Sequence, residues 1–135
     1  MPVTNDDELR EVLSLETIAV VGCSATPHKE AHAIPKFMRE QGYEIVPVNP
    51  YADEIFGVEP YDSLSAVEEE IGLVDVFRPS EEVSGIVDEA IERDDVSAVW
   101  TQLGIRDREA GKRVEAAGKR YVEDRCLKVE YQRLM

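Results

Sequence analysis

The stretch from Thr17 to Lys29, TIAVVGCSATPHK, constrains this chain more than any other. Ile18 to Val21 form an apolar run rich in β-branched residues, too short for a buried helix, and this predicts a core strand. Gly22 ends it where a backbone can turn sharply or meet a ligand with no Cβ in the way. The small and hydroxyl side chains of Cys23, Ser24, Ala25 and Thr26 follow, then Pro27 and the cation Lys29. A helical pattern runs from about Glu30 to Gln41 and stops at Gly42. A strand, a small-residue loop and a helix in that order make an anion site, because loop amides and helix start both present N–H groups.

The same unit recurs along the chain. Asn5 or Asp6 caps a first helix over about 5–15, with Leu9, Val12, Leu13 and Leu15 at helical spacing. Further strands are expected at Ile45–Val48, Val74–Phe77, Ser97–Thr101 and Tyr121–Val122. Helices are expected after Ser63, from Ser80 and from Arg108, and the last residues form a terminal helix or tail. Pro35 is tolerable in the second helix only within its first turn. Strands alternating with helices imply βαβ crossovers, so the expected fold is α/β and Rossmann-like, three layers with a five-stranded, mainly parallel sheet. The expected strand order is 3-2-1-4-5, with residues 1–135 as one domain and a core over about 17–126. Ligands of such sheets sit at the carboxyl ends of the strands, near the point where the order reverses. That singles out Gly22 to Lys29, Val48 to Pro50, Phe77 to Pro79, Gln102 to Gly104 and Asp124 to Cys126.

Charge narrows the partners. Asp and Glu number 29 against 15 Lys and Arg, a net charge of −14, spread along the whole chain. Such a surface repels nucleic acid and anionic membrane, and it resembles those of proteins from salt-loving organisms. No apolar run approaches a membrane span and the acidic N-terminus is unlike a signal peptide, so a cytoplasmic protein is expected. Cys23 and Cys126 make neither a disulfide framework nor a spaced metal motif and are expected to be reduced. His28 and His32 stand at i, i+4 but lack a third ligand, so no metal site is expected. Trp100 reads as packing between sheet and helix. The acidic run Glu68 to Glu70 and the pair Asp94-Asp95 read as solvated faces.

A dinucleotide site of the NAD type asks for three glycines in the first loop and an acidic residue after the second strand. Here Gly22 stands alone and Asn49 follows Val48. A P-loop is absent as well. What remains is a phosphate loop with few glycines, a proline-braced second strand end, and the pair Phe77-Arg78.

Five segments carry a family resemblance: residues 19–24 (AVVGCS), 46–50 (VPVNP), 74–78 (VDVFR), 99–104 (VWTQLG) and 124–128 (DRCLK). In this order the chain resembles the small, single-domain CoA-binding proteins, which are similar to the nucleotide-binding domain of the succinyl-CoA synthetase α subunit. The resemblance spans roughly Thr17 to Lys128 and departs from the family pattern at Cys23 and Leu127. It implies coenzyme A laid across the strand ends, on Gly22, Cys23, Ser24, Thr26, Lys29, Val48, Asn49, Pro50, Phe77, Arg78, Pro79, Gln102, Leu103 and Gly104. Gly22, Ser24 and Lys29 would meet the diphosphate, with Arg78 a further phosphate partner. Asn49-Pro50 would border the adenosine, and Gln102-Leu103-Gly104 would lie nearer the pantetheine arm. The implied function is a binding module for CoA or acyl-CoA without a complete catalytic apparatus, and no catalytic residue is assigned. The alternatives are a subunit of a CoA-thioester ligase or acyltransferase, which would need a protein partner, and an NAD(P)-binding oxidoreductase.

Overall fold

The computed structural model describes residues 1–135. Five parallel strands, β1 (Thr17–Val21), β2 (Glu44–Val48), β3 (Leu73–Val76), β4 (Ala98–Thr101) and β5 (Arg120–Val122), form one sheet in the order β2-β1-β3-β4-β5. Helices α1 (Asp6–Leu13), α2 (Glu30–Glu40) and α5 (Leu127–Leu134) cover one face, and α3 (Ser80–Ile91) and α4 (Arg108–Ala116) the other. Side chains alternate between two buried clusters: Ala19, Val21, Val74, Val76 and Val99 face α3 and α4, whereas Ile18, Val20, Leu73, Ala98 and Trp100 face α1, α2 and α5. The three-layer α/β fold expected from the sequence is present. No helix is long and apolar enough to cross a membrane.

The expected order 3-2-1-4-5 is corrected to 2-1-3-4-5, so β3 lies beside β1 and not beyond β2. Handedness explains the difference. A right-handed crossover ties the direction of travel along the sheet to the face that the connection covers. The β1–β2 connection uses α2 on one face. The β2–β3 connection carries Leu64, Val67 and Ile71, and these pack with α3 on the opposite face. The chain must therefore travel back past β1. The order reverses between β1 and β3, not between the first and fourth strands.

That connection also lacks the helix expected after Ser63 and holds only a single 3-10 turn, Leu64–Ala66. Arg93 ties it down from the end of α3, donating to the carbonyls of Leu64 (3.2 Å), Val67 (2.9 Å) and Glu69 (3.0 Å) while pairing with Asp95. Asp95 in turn accepts from the Ile71 amide at 2.8 Å, and Arg93 holds its carboxyl below the usual range. A long irregular connection thus has backbone groups satisfied by side chains from elsewhere, chiefly Arg93, with Asp95 and Glu89.

Pro35 is the second correction, since it is the sixth residue of α2 and lies beyond the first turn. A proline there leaves the carbonyl four residues back, at Ala31, without its helical donor. The amide of Ser24 fills the gap at 3.0 Å. The interruption is what joins the loop after β1 to the helix that follows it.

Candidate functional site

The carboxyl ends of the five strands are joined by one backbone bond at each step. Gly22 N–H donates to Val48 O (2.9 Å), Phe77 N–H to Val21 O (2.9 Å), Gln102 N–H to Val76 O (3.2 Å) and Arg125 N–H to Thr101 O (3.3 Å). The residues singled out in the sequence therefore form one continuous ledge, and the β1–β3 reversal places the Gly22 loop directly beside Phe77-Arg78.

Gly22 is glycine for two reasons. Its φ is +90°, and a Cβ built there would lie 2.7 Å from Arg78 Cδ and 3.2 Å from the Phe77 carbonyl carbon. The stem of Arg78 thus rests on the Gly22 backbone. The next residues make a tight, self-bonded loop: Thr26 N–H donates to Ser24 Oγ at 3.0 Å and Lys29 N–H to Thr26 O at 3.1 Å. Because Ser24 N–H is taken by Ala31 and Gly22 N–H by Val48, the loop amides left without a partner in the protein are those of Cys23, Ala25 and His28. α2 starts behind them with Lys29 at its N-cap and no side chain capping its first turn. Lys29 is exposed and pairs with no carboxylate. Free amides, an uncapped 11-residue helix and an unpaired cation converge on one loop.

Asn49 braces the opposite lip. Its Nδ2 donates to Cys23 O at 2.8 Å and its Oδ1 accepts from Tyr51 N–H at 2.8 Å, an Asx turn that fixes Tyr51 in an 88% exposed position. Both polar ends of Asn49 are thus engaged within the protein. The Cys23 side chain turns inward. It is fully buried, and burial, with the nearby Asp75 carboxyl second, pushes its thiol up to about 12. It is an inert packing group, and only its backbone belongs to the ledge.

Arg78 is not free. Nε and one terminal nitrogen reach the two oxygens of Glu82 at 3.0 and 2.8 Å, and this pairing holds the Glu82 carboxyl below its usual range. Sequence reasoning missed Glu82, although the Arg78/Glu82 spacing of four on an expected helix start was the available signal. It also missed Tyr51.

A match to the family model described as a CoA binding domain covers residues 16–132. The chain belongs to the CoA-binding domain family. Among curated relatives it is 38% identical over 125 residues to the uncharacterized protein YneT of Bacillus subtilis, covering 92% of each. It is 30% identical over 119 residues to an ADP-forming acetate–CoA ligase of Methanocaldococcus jannaschii, and there it spans 86% of its own length but only 17% of the ligase. Among solved structures, cell-free ID.343 from Thermus thermophilus superposes with a TM-score of 0.90 at 42% identity, covering 98% of this chain and all of that one.

In this CoA-binding domain chain, the far end of the ledge is more heavily committed to structure. Gln102 is almost buried, and its Oε1 accepts from Leu127 N–H at 3.1 Å, which caps the start of α5. Gly104 N–H is held by Asp124 at 2.6 Å, and Asp124 also binds Arg106. Leu103 alone projects outward, 70% exposed. Pro79 is the N-cap of α3, and Phe77 is half-buried against the α1/α2/α5 cluster. Cavities of about 450, 380 and 280 Å3 lie around Glu16 and Glu70, around Met1 and Lys119, and between Leu13 and Tyr131. The first and third sit at the amino ends of the strands, and the largest is lined by carboxylates, unsuited to an anion. The strand-end ledge is an open shelf with oriented donors.

Proposed function

We propose that this protein binds coenzyme A or acyl-CoA across the carboxyl ends of its strands, as a binding module without a complete catalytic apparatus of its own. The observation that carries the reading is the loop after β1. Unpartnered amides at Cys23, Ala25 and His28, the uncapped start of α2 and unpaired Lys29 fall within one short loop, at whose first residue, Gly22, the stem of Arg78 rests. In a chain of net charge −14 an anion needs such concentrated local donors to overcome a repulsive average field. The diphosphate lies on the amides of Cys23 and Ala25 and on Lys29, with the adenosine toward Asn49-Pro50 and Tyr51. The pantetheine arm runs toward Leu103 and Gly104. Membership of the CoA-binding domain family supports this ligand. NAD is disfavoured because the residue after β2 is Asn49, whose amide is already bonded at both ends and offers no carboxylate to a ribose.

One observation favours a second reading, a component that hands a CoA thioester to a catalytic partner: in the acetate–CoA ligase relative the matching region is a small part of a much longer chain. That partner would supply the chemistry.

A thermal-shift series separates these from the NAD reading. CoA is expected to raise the melting temperature progressively with ligand concentration, and NAD and NADP to leave it unchanged. Lys29→Ala should weaken CoA binding by about 1.5–3 kcal/mol, the worth of one charge-assisted hydrogen bond, with no loss of stability in the free protein. A shift with NAD but not with CoA would contradict the proposed function.

A further inference from the structure

The geometry points to Glu82 as a built-in competitor for the ligand: its carboxylate holds Arg78 in the free protein and must yield that side chain to a phosphate when the site fills. The inference rests on the CoA reading above and concerns how the same site sets its affinity and release. Three observations carry it. First, the pairing is bidentate, Nε to Oε1 at 3.0 Å and Nη2 to Oε2 at 2.8 Å, the fork geometry that a guanidinium offers equally to carboxylate and to phosphate. Glu82 therefore occupies the Nε–Nη2 edge of Arg78, one of its two forks, and a phosphate that takes this edge must displace it. Second, the pair is half open to water, with side-chain exposures of 42% and 45%, so little holds it beyond the contact itself and exchange costs little desolvation. Third, the Arg78 stem lies against Gly22, so the guanidinium can trade partners by rotating its outer bonds while staying beside the phosphate loop. Once Arg78 turns to a phosphate, Glu82 is left in the first turn of α3 as an unpaired negative charge close to a polyanion. That repulsion weakens binding and hastens release, and Arg78 returns to Glu82 when the ligand leaves. A module that passes CoA onward requires release of this kind.

Calorimetry and stopped-flow dissociation with CoA test the inference in five proteins: wild type, Glu82→Gln, Glu81→Gln, Arg78→Gln and the pair Arg78→Gln with Glu82→Gln. Glu81 is exposed on the same turn and makes no bond to Arg78, so its variant reports the general gain from removing one negative charge. The expected result is that Glu82→Gln binds CoA about three- to five-fold tighter, the worth of one exposed ion pair, mainly through slower dissociation. Glu81→Gln should change affinity much less, and in the Arg78→Gln background the Glu82 gain should shrink to that of Glu81→Gln. Equal gains from the two glutamates would reduce the effect to overall charge and overturn the inference. Weaker binding by Glu82→Gln would overturn it too, making Glu82 a brace for Arg78. A wild-type protein that binds no CoA would instead remove the functional reading itself, and with it the inference.

Discussion

Gly22→Ala should destabilise the fold by about 2–5 kcal/mol and abolish measurable CoA binding. An alanine at φ +90° carries the strain of the left-handed region, about 1–2 kcal/mol. Its Cβ also has to displace Arg78 Cδ from 2.7 Å and press on the Phe77 backbone at 3.2 Å, and overpacking of that kind adds about 1–3 kcal/mol. Arg78 can swing away but the β3 backbone cannot, so the loop after β1 would shift and carry the Cys23 and Ala25 amides with it. Gly85 in α3 is the control. A Cβ there meets nothing within 4 Å, so Gly85→Ala should stabilise by about 0.5–1 kcal/mol through helix propensity. Urea unfolding of both variants, with CoA titrations beside it, reads the contrast directly. If Gly22→Ala kept wild-type stability, the close approach of the two strand ends would not be a determinant of the fold.

The second large effect belongs to Asp75. It lies in the middle of β3, between Val20 of β1 and Trp100 of β4, fully buried, and neither carboxyl oxygen has a hydrogen-bond partner. Burial therefore raises its pKa well above the ordinary carboxylate range, because the buried site disfavours the charged form. The sign for stability follows. Below the unfolded-state value, about 3.9, both folded and unfolded chains are protonated and ionisation contributes nothing. As pH rises past that value the unfolded chain ionises and the folded one does not, so stability falls until the folded carboxyl itself gives up its proton. Asp75→Asn keeps the shape and removes the ionisation. Its melting temperature should match wild type near pH 4 and exceed it by several degrees at pH 7, the gap widening continuously between. A difference that does not change with pH, or an asparagine variant that melts lower at pH 7, would show that the carboxylate is compensated in the folded protein. Asp6, Glu82, Asp95, Asp124 and Glu130 act in the opposite sense. Arginine partners, and for Asp124 first the Gly104 amide, lower their pKa values, so their contribution is present at neutral pH and lost in acid.

The strands were legible because short β-branched runs such as Ile18–Val21 and Val74–Val76 sit between glycine and proline punctuation, and a parallel sheet buries both faces of each. The ledge was legible for the same reason, since every strand end was marked. Strand order was not. It depends on which face receives Leu64, Val67 and Ile71, and the spacing of three residues in an irregular connection does not specify a face. Pro35 misled because the helix rule counts only donors within the helix, and here Ser24, eleven positions earlier, supplies the missing one. Of the residues the resemblance sets against the diphosphate, Gly22 and Ser24 have their amides taken by Val48 and Ala31, which leaves those of Cys23, Ala25 and His28 open in the same loop. Asp75 lay hidden inside a strand whose apolar neighbours gave no hint of its isolation. Arg78 was visible as a cation at a strand end, but its pairing with Glu82 was not weighed, although the two stand one helical turn apart.

The central claim is that CoA lies on the carboxyl ends of the strands with its diphosphate at the loop after β1. Backbone amide chemical shifts, followed by two-dimensional NMR during a CoA titration, test it most directly. The account predicts the largest changes at the amides of Cys23 and Ala25, with Lys29 to Ala31, Tyr51 and Arg78 following at the same midpoint. Changes centred on Glu16, Gly42 and Gly72, at the amino ends of the strands, or an undisturbed Gly22 loop at saturating CoA, would contradict it.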